Sequence, residues 1–188
     1  MIDLAHVQFR GAVASDALEI AALHTDSWRR HYRGAYSDEF LDGEVAADRR
    51  AVWTQRLLDR RANCSTIVAV KSGRIVGFAH TIIGEDVTWG ALLDNLHVAH
   101  SHRRQGIGSR LLALSAKAVA ARHPESGFYL WVLEQNVAAQ AFYRRHGGRY
   151  VERCDVSPPG GDVSRLSGTP AKLRYAWTRL NYVMGKSK

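Results

Sequence analysis

The chain has 188 residues, 46% of them hydrophobic, with two cysteines and a formal net charge of +8 at pH 7. That length supports a sizeable core without disulfide or metal staples, so a single domain over 1–188 is expected. No 18-residue apolar run offers a membrane span, Met1-Ile2-Asp3-Leu4-Ala5-His6 lacks the regions of a signal peptide, and the lone thiols Cys64 and Cys154, without metal spacing, fit a reducing cytoplasm.

Val7–Arg10 reads as a first strand. Asp16-Ala17-Leu18-Glu19 then has capping-box spacing and opens a helix carrying Leu18, Ala22, Trp28 and Tyr32. A loop from Gly34 to Gly43 precedes a second helix with Val45, Val52, Trp53, Leu57 and Leu58. Thr66–Lys71 and Arg74–Ile83 are strands joined by a tight Ser72-Gly73 hairpin, and Gly84-Glu85-Asp86 turns into a strand that ends at Val98. Ile107, Leu111, Leu114, Ala118 and Arg122 keep helical spacing, with Leu112 and Val119 widening the stripe. Phe128–Leu133 reads as a buried strand. Ala139, Phe142, Tyr143 and His146 form a helix that Gly147 closes. Arg149–Val156 and Lys172–Arg179 make a final antiparallel pair around a long Pro/Gly/Ser loop at 157–168, and the tail after Asn181 is expected to fray. The strand–helix–strand run from Leu92 to Leu133 requires a right-handed crossover between parallel strands. The sum is a mixed α/β sheet with helices on both faces.

Arg103-Arg104-Gln105-Gly106-Ile107-Gly108 lies between the strand ending at Val98 and the following helix. A glycine turn there aims free amides and the positive helix end at an anion, and the arginines add forks suited to phosphate oxygens. The run is neither a triphosphate loop, since no Gly-Lys-Ser/Thr follows a strand with room for a helix, nor a dinucleotide loop, since Leu111 stands at the third glycine position. By itself the hexad also fits a solvated basic turn. The second segment, Asn136-x-x-Ala139-x-x-Phe142-Tyr143-x-x-x-Gly147, follows a strand in the right order and at the right distance. Together the two segments resemble the GCN5-related N-acetyltransferase (GNAT) family, most strongly over 92–148. Gly148, where the family usually has Phe, is a departure expected to loosen packing.

The resemblance implies a mixed, mostly antiparallel sheet with a splayed parallel central pair and acetyl-CoA as co-substrate. It implies cofactor contacts at Leu96, Val98, Arg103, Arg104, Gln105, Gly106, Gly108, Ser109, Asn136, Ala139 and Tyr143. An amine then attacks the thioester directly, and Tyr143 stands at the position of the family's usual acid. Neutralising a lysine-like amine of pKa about 10.4 at pH 7 costs roughly 4.6 kcal/mol, which asks for a base. Asp94, placed by the two-residue period on the side of Leu96 and Val98, and Glu134, at the end of the next strand, are the candidates, with His97 on the opposite side third. Each also reads as an ordinary hydrogen-bonding residue.

Trp28, Tyr32 and Tyr36 recur every four residues near where relatives place the acceptor, and this stripe also suits packing against the sheet. The acidic residues Asp38, Glu39, Asp42, Glu44 and Asp48 are candidates for a rim that attracts a cationic amine, or for exposed charge. His97, His100 and His102 lack a Cys or carboxylate to complete a metal shell. The partner expected is a small-molecule or peptide amine, to a monomer or homodimer. Arginines in scattered pairs without an aromatic-basic motif argue against nucleic acid. The alternative to an enzyme is a non-catalytic acyl-CoA sensor.

Overall fold

The computed structural model describes residues 6–59, 61–180 and 183; the expectation for the tail after Asn181 falls largely outside them. The strands are β1 (Val7–Gly11), β2 (Cys64–Lys71), β3 (Arg74–Asp86), β4 (Gly90–Val98), β5 (Phe128–Leu133), β6 (Arg149–Asp155) and β7 (Ala171–Trp177). The longer helices are α1 (Ala17–His31), α2 (Val45–Asp59), α3 (Ile107–Ala120) and α4 (Val137–Arg145). All seven strands form one sheet in the order β1-β2-β3-β4-β5-β7-β6. Every neighbouring pair is antiparallel except β4 and β5. This is the mixed α/β arrangement expected from the patterns. No helix among the described residues is long and apolar enough to cross a membrane.

Each face of the sheet has its own helical layer. On one, Ile107, Leu111, Leu112, Ala116 and Val119 of α3 bury against Leu93, Leu130, Val132 and Tyr175 of the strands, with Tyr143 of α4 at the margin. On the other, Ile20 of α1 and Trp53 and Leu57 of α2 pack on Val68 and Phe78. A smaller cluster joins Trp28, Tyr36, Phe40, Leu41 and Val45 to Leu133 at the end of β5 and to Val156 just after β6. The aromatic stripe of α1 therefore packs beside the sheet's end, where loops meet.

Local signals were redirected in three places. The Asp16 carboxylate does not cap α1: it accepts from the Val13 amide at 2.8 Å and from Arg10 at 2.6 and 2.9 Å. Glu19, the other half of the expected capping box, accepts from the Ile75 amide of β3 at 2.8 Å. A tertiary partner thus replaces the local one. β3 also runs past Ile83 to Asp86, with Gly84 at φ +69° inside the strand. The reversal falls at Val87–Trp89, where the Asp86 carboxylate accepts from the Thr88 and Trp89 amides, the local bond that makes Asp a turn residue. At Gly148, packing is not loosened. A Cβ there would lie 2.7 Å from the indole of Trp177, which fills the space and donates to the His146 carbonyl at 2.7 Å.

Candidate active site

β4 and β5 are laddered only at Ala91↔Phe128 and Leu92↔Tyr129. Beyond that the strands splay, so the edge of β4 that faces β5, including Leu96 and Val98, is left without a strand partner. After β4 the chain makes a 3-10 turn at His100–His102. Arg104 (φ +61°) and Gly106 (φ +81°) then take left-handed conformations. For Arg104 that conformation is strained by about 1 kcal/mol; for glycine it is free. Gly106 is the N-cap of α3 and no side chain caps it, so the first amides of the helix are available to an anion. A Cβ on Gly108 would meet the Phe142 ring at 3.6 Å and Val98 at 3.7 Å. The end of β4, the start of α3 and α4 therefore converge at the glycines, as the motifs require.

Side chains around this cradle hold it together. Asn136 caps α4 by accepting from the Ala139 amide at 3.1 Å. Gln105 Nε2 donates to the Ser101 carbonyl at 3.3 Å, and Arg103 reaches to 3.5 Å from His31 at the end of α1. His146 Nδ1 lies 2.8 Å from the Phe142 carbonyl, which can only accept, so Nδ1 carries the proton and Nε2 accepts from the Ser109 hydroxyl at 2.9 Å. Ser109 thereby ties α3 to α4. Tyr143 is buried between Phe142, Tyr175 and Trp177, and burial raises its phenol above the ordinary tyrosine range.

The opposite side of the splay departs from the two-residue period. His80 pairs with Asn95 and Thr81 with Leu93, leaving Asp94 as the extra residue of a β-bulge. A bulge shifts the alternation by one. Asp94 consequently turns away from Leu96 and Val98, which pack on the α3 side, and meets Arg56 of α2 at 2.7 Å. His97, expected opposite Asp94, shares its side: Nδ1 lies 2.7 Å from Ser27 Oγ, and the ring sits 4.6 Å from that of His24. Burial lowers His97 to about 3 and His24 well below the ordinary range, so both rings are neutral at pH 7. Glu134, at the end of β5, is clamped by Arg153 at 2.9 and 3.0 Å, and these bonds hold its carboxyl low.

Trp28, Tyr32 and Tyr36 do come together, with neighbouring rings 5.0–5.2 Å apart. Burial pushes the Tyr36 phenol up to about 12 and raises Tyr32 further, the latter helped by Tyr36, Tyr143 and Asp94. Four of the five acidic residues of the run are engaged by arginine, and Glu39 is exposed. Arg33 holds Asp38 and Asp42, Arg165 holds Glu44 and Asp48, and Arg49 also pairs with Asp48. Arg49, Arg56 and Arg165 are the residues that pattern reasoning passed over. Partners up to 121 positions away leave no local signature.

The acetyltransferase (GNAT) family profile matches residues 22–148. Over 144 residues, 74% of this chain and 78% of the relative, the sequence is 29% identical to a protein described as a probable N-acetyltransferase from Mycobacterium tuberculosis. Over 148 residues, 77% of this chain and 82% of the relative, it is 30% identical to the uncharacterized N-acetyltransferase YuaI of Bacillus subtilis. The fold is similar to that of the PaiA N-acetyltransferase from Thermoplasma acidophilum, crystallised in complex with coenzyme A, with a TM-score of 0.68 at 18% identity over 91% of this chain and 99% of that one. The matched span runs from the middle of α1 through the splay and the glycine cradle to the end of α4, and on that ground the chain belongs to the acetyltransferase (GNAT) family.

Proposed function

We propose that the chain, as one catalytic unit over residues 1–188, transfers the acetyl group of acetyl-CoA to a primary amine by direct attack in a ternary complex. The observation that carries this reading is the uncapped, left-handed start of α3 at Gly106, set beside a β4 edge that β5 has released. A pyrophosphate suits those amides, with Arg103, Arg104 and Gln105 around it and Gly108 keeping the approach narrow. The main chain of Leu96 and Val98 suits the amides of an extended pantetheine arm. Asn136 and Ala139 set the start of α4, and Ser109 keeps α4 on α3 through His146.

Acetyl-CoA supplies the activated thioester, and the remaining chemistry is proton handling. Tyr143, raised by burial, stays protonated at neutral pH and is suited to donate to the departing thiolate. Asp94 and Glu134 flank the acceptor side as arginine-paired carboxylates, fitted to orient an amine by accepting its hydrogen bonds. Trp28, Tyr32 and Tyr36 wall the acceptor, a small-molecule or peptide amine. A reducing cytoplasm suits the two free thiols.

Calorimetric titration with acetyl-CoA, together with thiol release in the presence of an amine panel, tests the reading. Binding by the wild type, its loss in Gly106→Val, and amine-dependent thiol release are expected. Absence of binding heat, or a Gly106→Val protein that binds as tightly as wild type, overturns it. Binding without any amine-dependent release favours the acyl-CoA sensor instead.

A further inference from the structure

The acceptor side of the splay is rich in charged groups, and those charges are already spoken for. Asp94 meets Arg56 of α2 at 2.7 Å and accepts from Asn95 Nδ2 at 2.6 Å. His80 of β3, His97 of β4, Tyr32 of α1 and Tyr129 of β5 lie within its electrostatic reach, and none is anionic at neutral pH. Glu134 is held in a two-bond fork by Arg153 of β6, and Gln140 Nε2 donates to its main-chain carbonyl at 2.6 Å. His24 is buried and His97 half-buried, both neutral, with Nδ1 of each engaged, by Trp53 and Ser27 respectively. The two carboxylates and the two rings are therefore already engaged by neighbours, and none of the four stands open toward an incoming ammonium ion as a free base.

The features that would receive a cation are committed in the same way. Asp38 and Asp42 lie 2.5 Å from Arg33, while Glu44 and Asp48 lie 3.0 and 3.2 Å from Arg165. The face of Trp28 that could seat an ammonium carries the Arg49 guanidinium at 4.4 Å, and Phe40 carries that of Arg165 at 4.7 Å. Tyr32 and Tyr36 stack on each other at 5.2 Å. Lysine-like and polyamine acceptors arrive as ammonium ions and meet an arginine at each of these pairs and rings, which leaves the exposed Glu39 as the one carboxylate of the run outside an arginine pair among the described residues.

We propose that this site, read as that of an acetyl-CoA-dependent transferase, is selective for weakly basic primary amines, α-amino groups or aromatic amines, that enter already neutral. The balance then closes within the site. The amine lone pair forms the C–N bond, the C–S bond breaks, and the proton lost by nitrogen ends on the thiol sulfur, with the Tyr143 hydroxyl as relay. No proton is delivered to a carboxylate at any stage. At pH 7 about one α-amino group in seven is neutral, against about one lysine amine in 2,500.

The test uses the full chain with saturating acetyl-CoA and four kinds of acceptor: an amino-acid amide or dipeptide, an aniline, an Nα-blocked lysine and spermidine. Thiol release and acetylated product are both measured. At pH 7 kcat/KM for at least one weakly basic acceptor is expected to exceed that for blocked lysine and spermidine by about 100-fold or more. Which one is active distinguishes α-amino from aromatic acceptors. Between pH 7 and 9 the α-amino acceptors should gain less than about 10-fold, while blocked lysine gains about 100-fold, following their own neutral fractions. Blocked lysine or spermidine matching the weakly basic acceptors at pH 7, or a lysine rate that is flat from pH 7 to 9, overturns the proposal. Acetyl-CoA binding by calorimetry on the same preparation keeps the two readings apart. Without binding the transferase reading itself fails, whereas binding with inactive weakly basic acceptors sinks only the acceptor assignment.

Discussion

The two sides of the splay are built on different principles. The side proposed to hold the cofactor, from the end of β4 through α3 to α4, is made by the backbone: left-handed turns at Arg104 and Gly106, an uncapped helix start, an Asn cap and an unladdered strand edge. The side proposed to take the acceptor is made by side chains far apart in sequence, with Arg165 reaching Asp48 and Glu44, Arg56 reaching Asp94, and Arg153 reaching Glu134. A backbone cradle suits a ligand whose phosphates are the same in every turnover. A web of ion pairs is easily rewired, which suits the half of the site that must match one acceptor.

The sharpest way to break this contrast is at Gly106. Valine at φ +81° is strained by both its Cβ and its branching. In Gly106→Val the helix start must move, and affinity for acetyl-CoA by calorimetry is expected to fall about 100-fold or more. Next is Tyr143→Phe, which removes one oxygen and leaves the cradle intact. kcat should drop about 100-fold while the Kd for acetyl-CoA stays put; equal turnover by the variant assigns the proton to another group.

On the acceptor side, Arg165→Ala removes a guanidinium that pairs with Glu44 and Asp48 and stacks on Phe40. Glu44 is largely exposed and its share is screened, so a loss of about 1–2 kcal/mol is expected, seen as a lower Tm. The acceptor KM should rise several-fold while cofactor affinity holds, and a change confined to cofactor affinity would contradict the division of labour. The last effect is on stability alone and concerns pH. His97, held at about 3 by burial, and His24, also lowered, bind protons more readily once unfolded. Above about pH 6.5 their contribution to stability is complete; that of His97 is lost as pH falls toward about 3, and that of His24 declines in the same direction. Denaturant midpoints from pH 7 to 4 should show a decline that His97→Gln makes shallower.

The same division explains what could be read from residue order. Helical spacing in 107–120 and the glycines before it located the cradle, because φ preferences and helix starts are properties of adjacent residues. The Asp16/Glu19 pair had the right spacing for a cap, yet each carboxylate took a different partner, Arg10 with the Val13 amide and the Ile75 amide. Asp94 was assigned to the wrong side because one bulged residue reverses every alternation after it. For the acidic run at 38–48 the sequence leaves a rim and ordinary exposed charge both open: Arg33 and Arg49 lie close by in the chain, but the Arg165 that pairs with Glu44 and Asp48 is distant and reaches them only through the fold.

Sequence by itself determined the α/β order, the crossover that makes β4 and β5 parallel, and the glycine turn that opens α3, since each rests on periodicity, chirality or the backbone freedom of glycine. Only the tertiary structure decided where β4 and β5 part, which face Asp94 and His97 present, and which arginine quenches which carboxylate. Those outcomes depend on through-space contacts between distant segments, and charge pairing over such distances follows from packing, not from spacing along the chain.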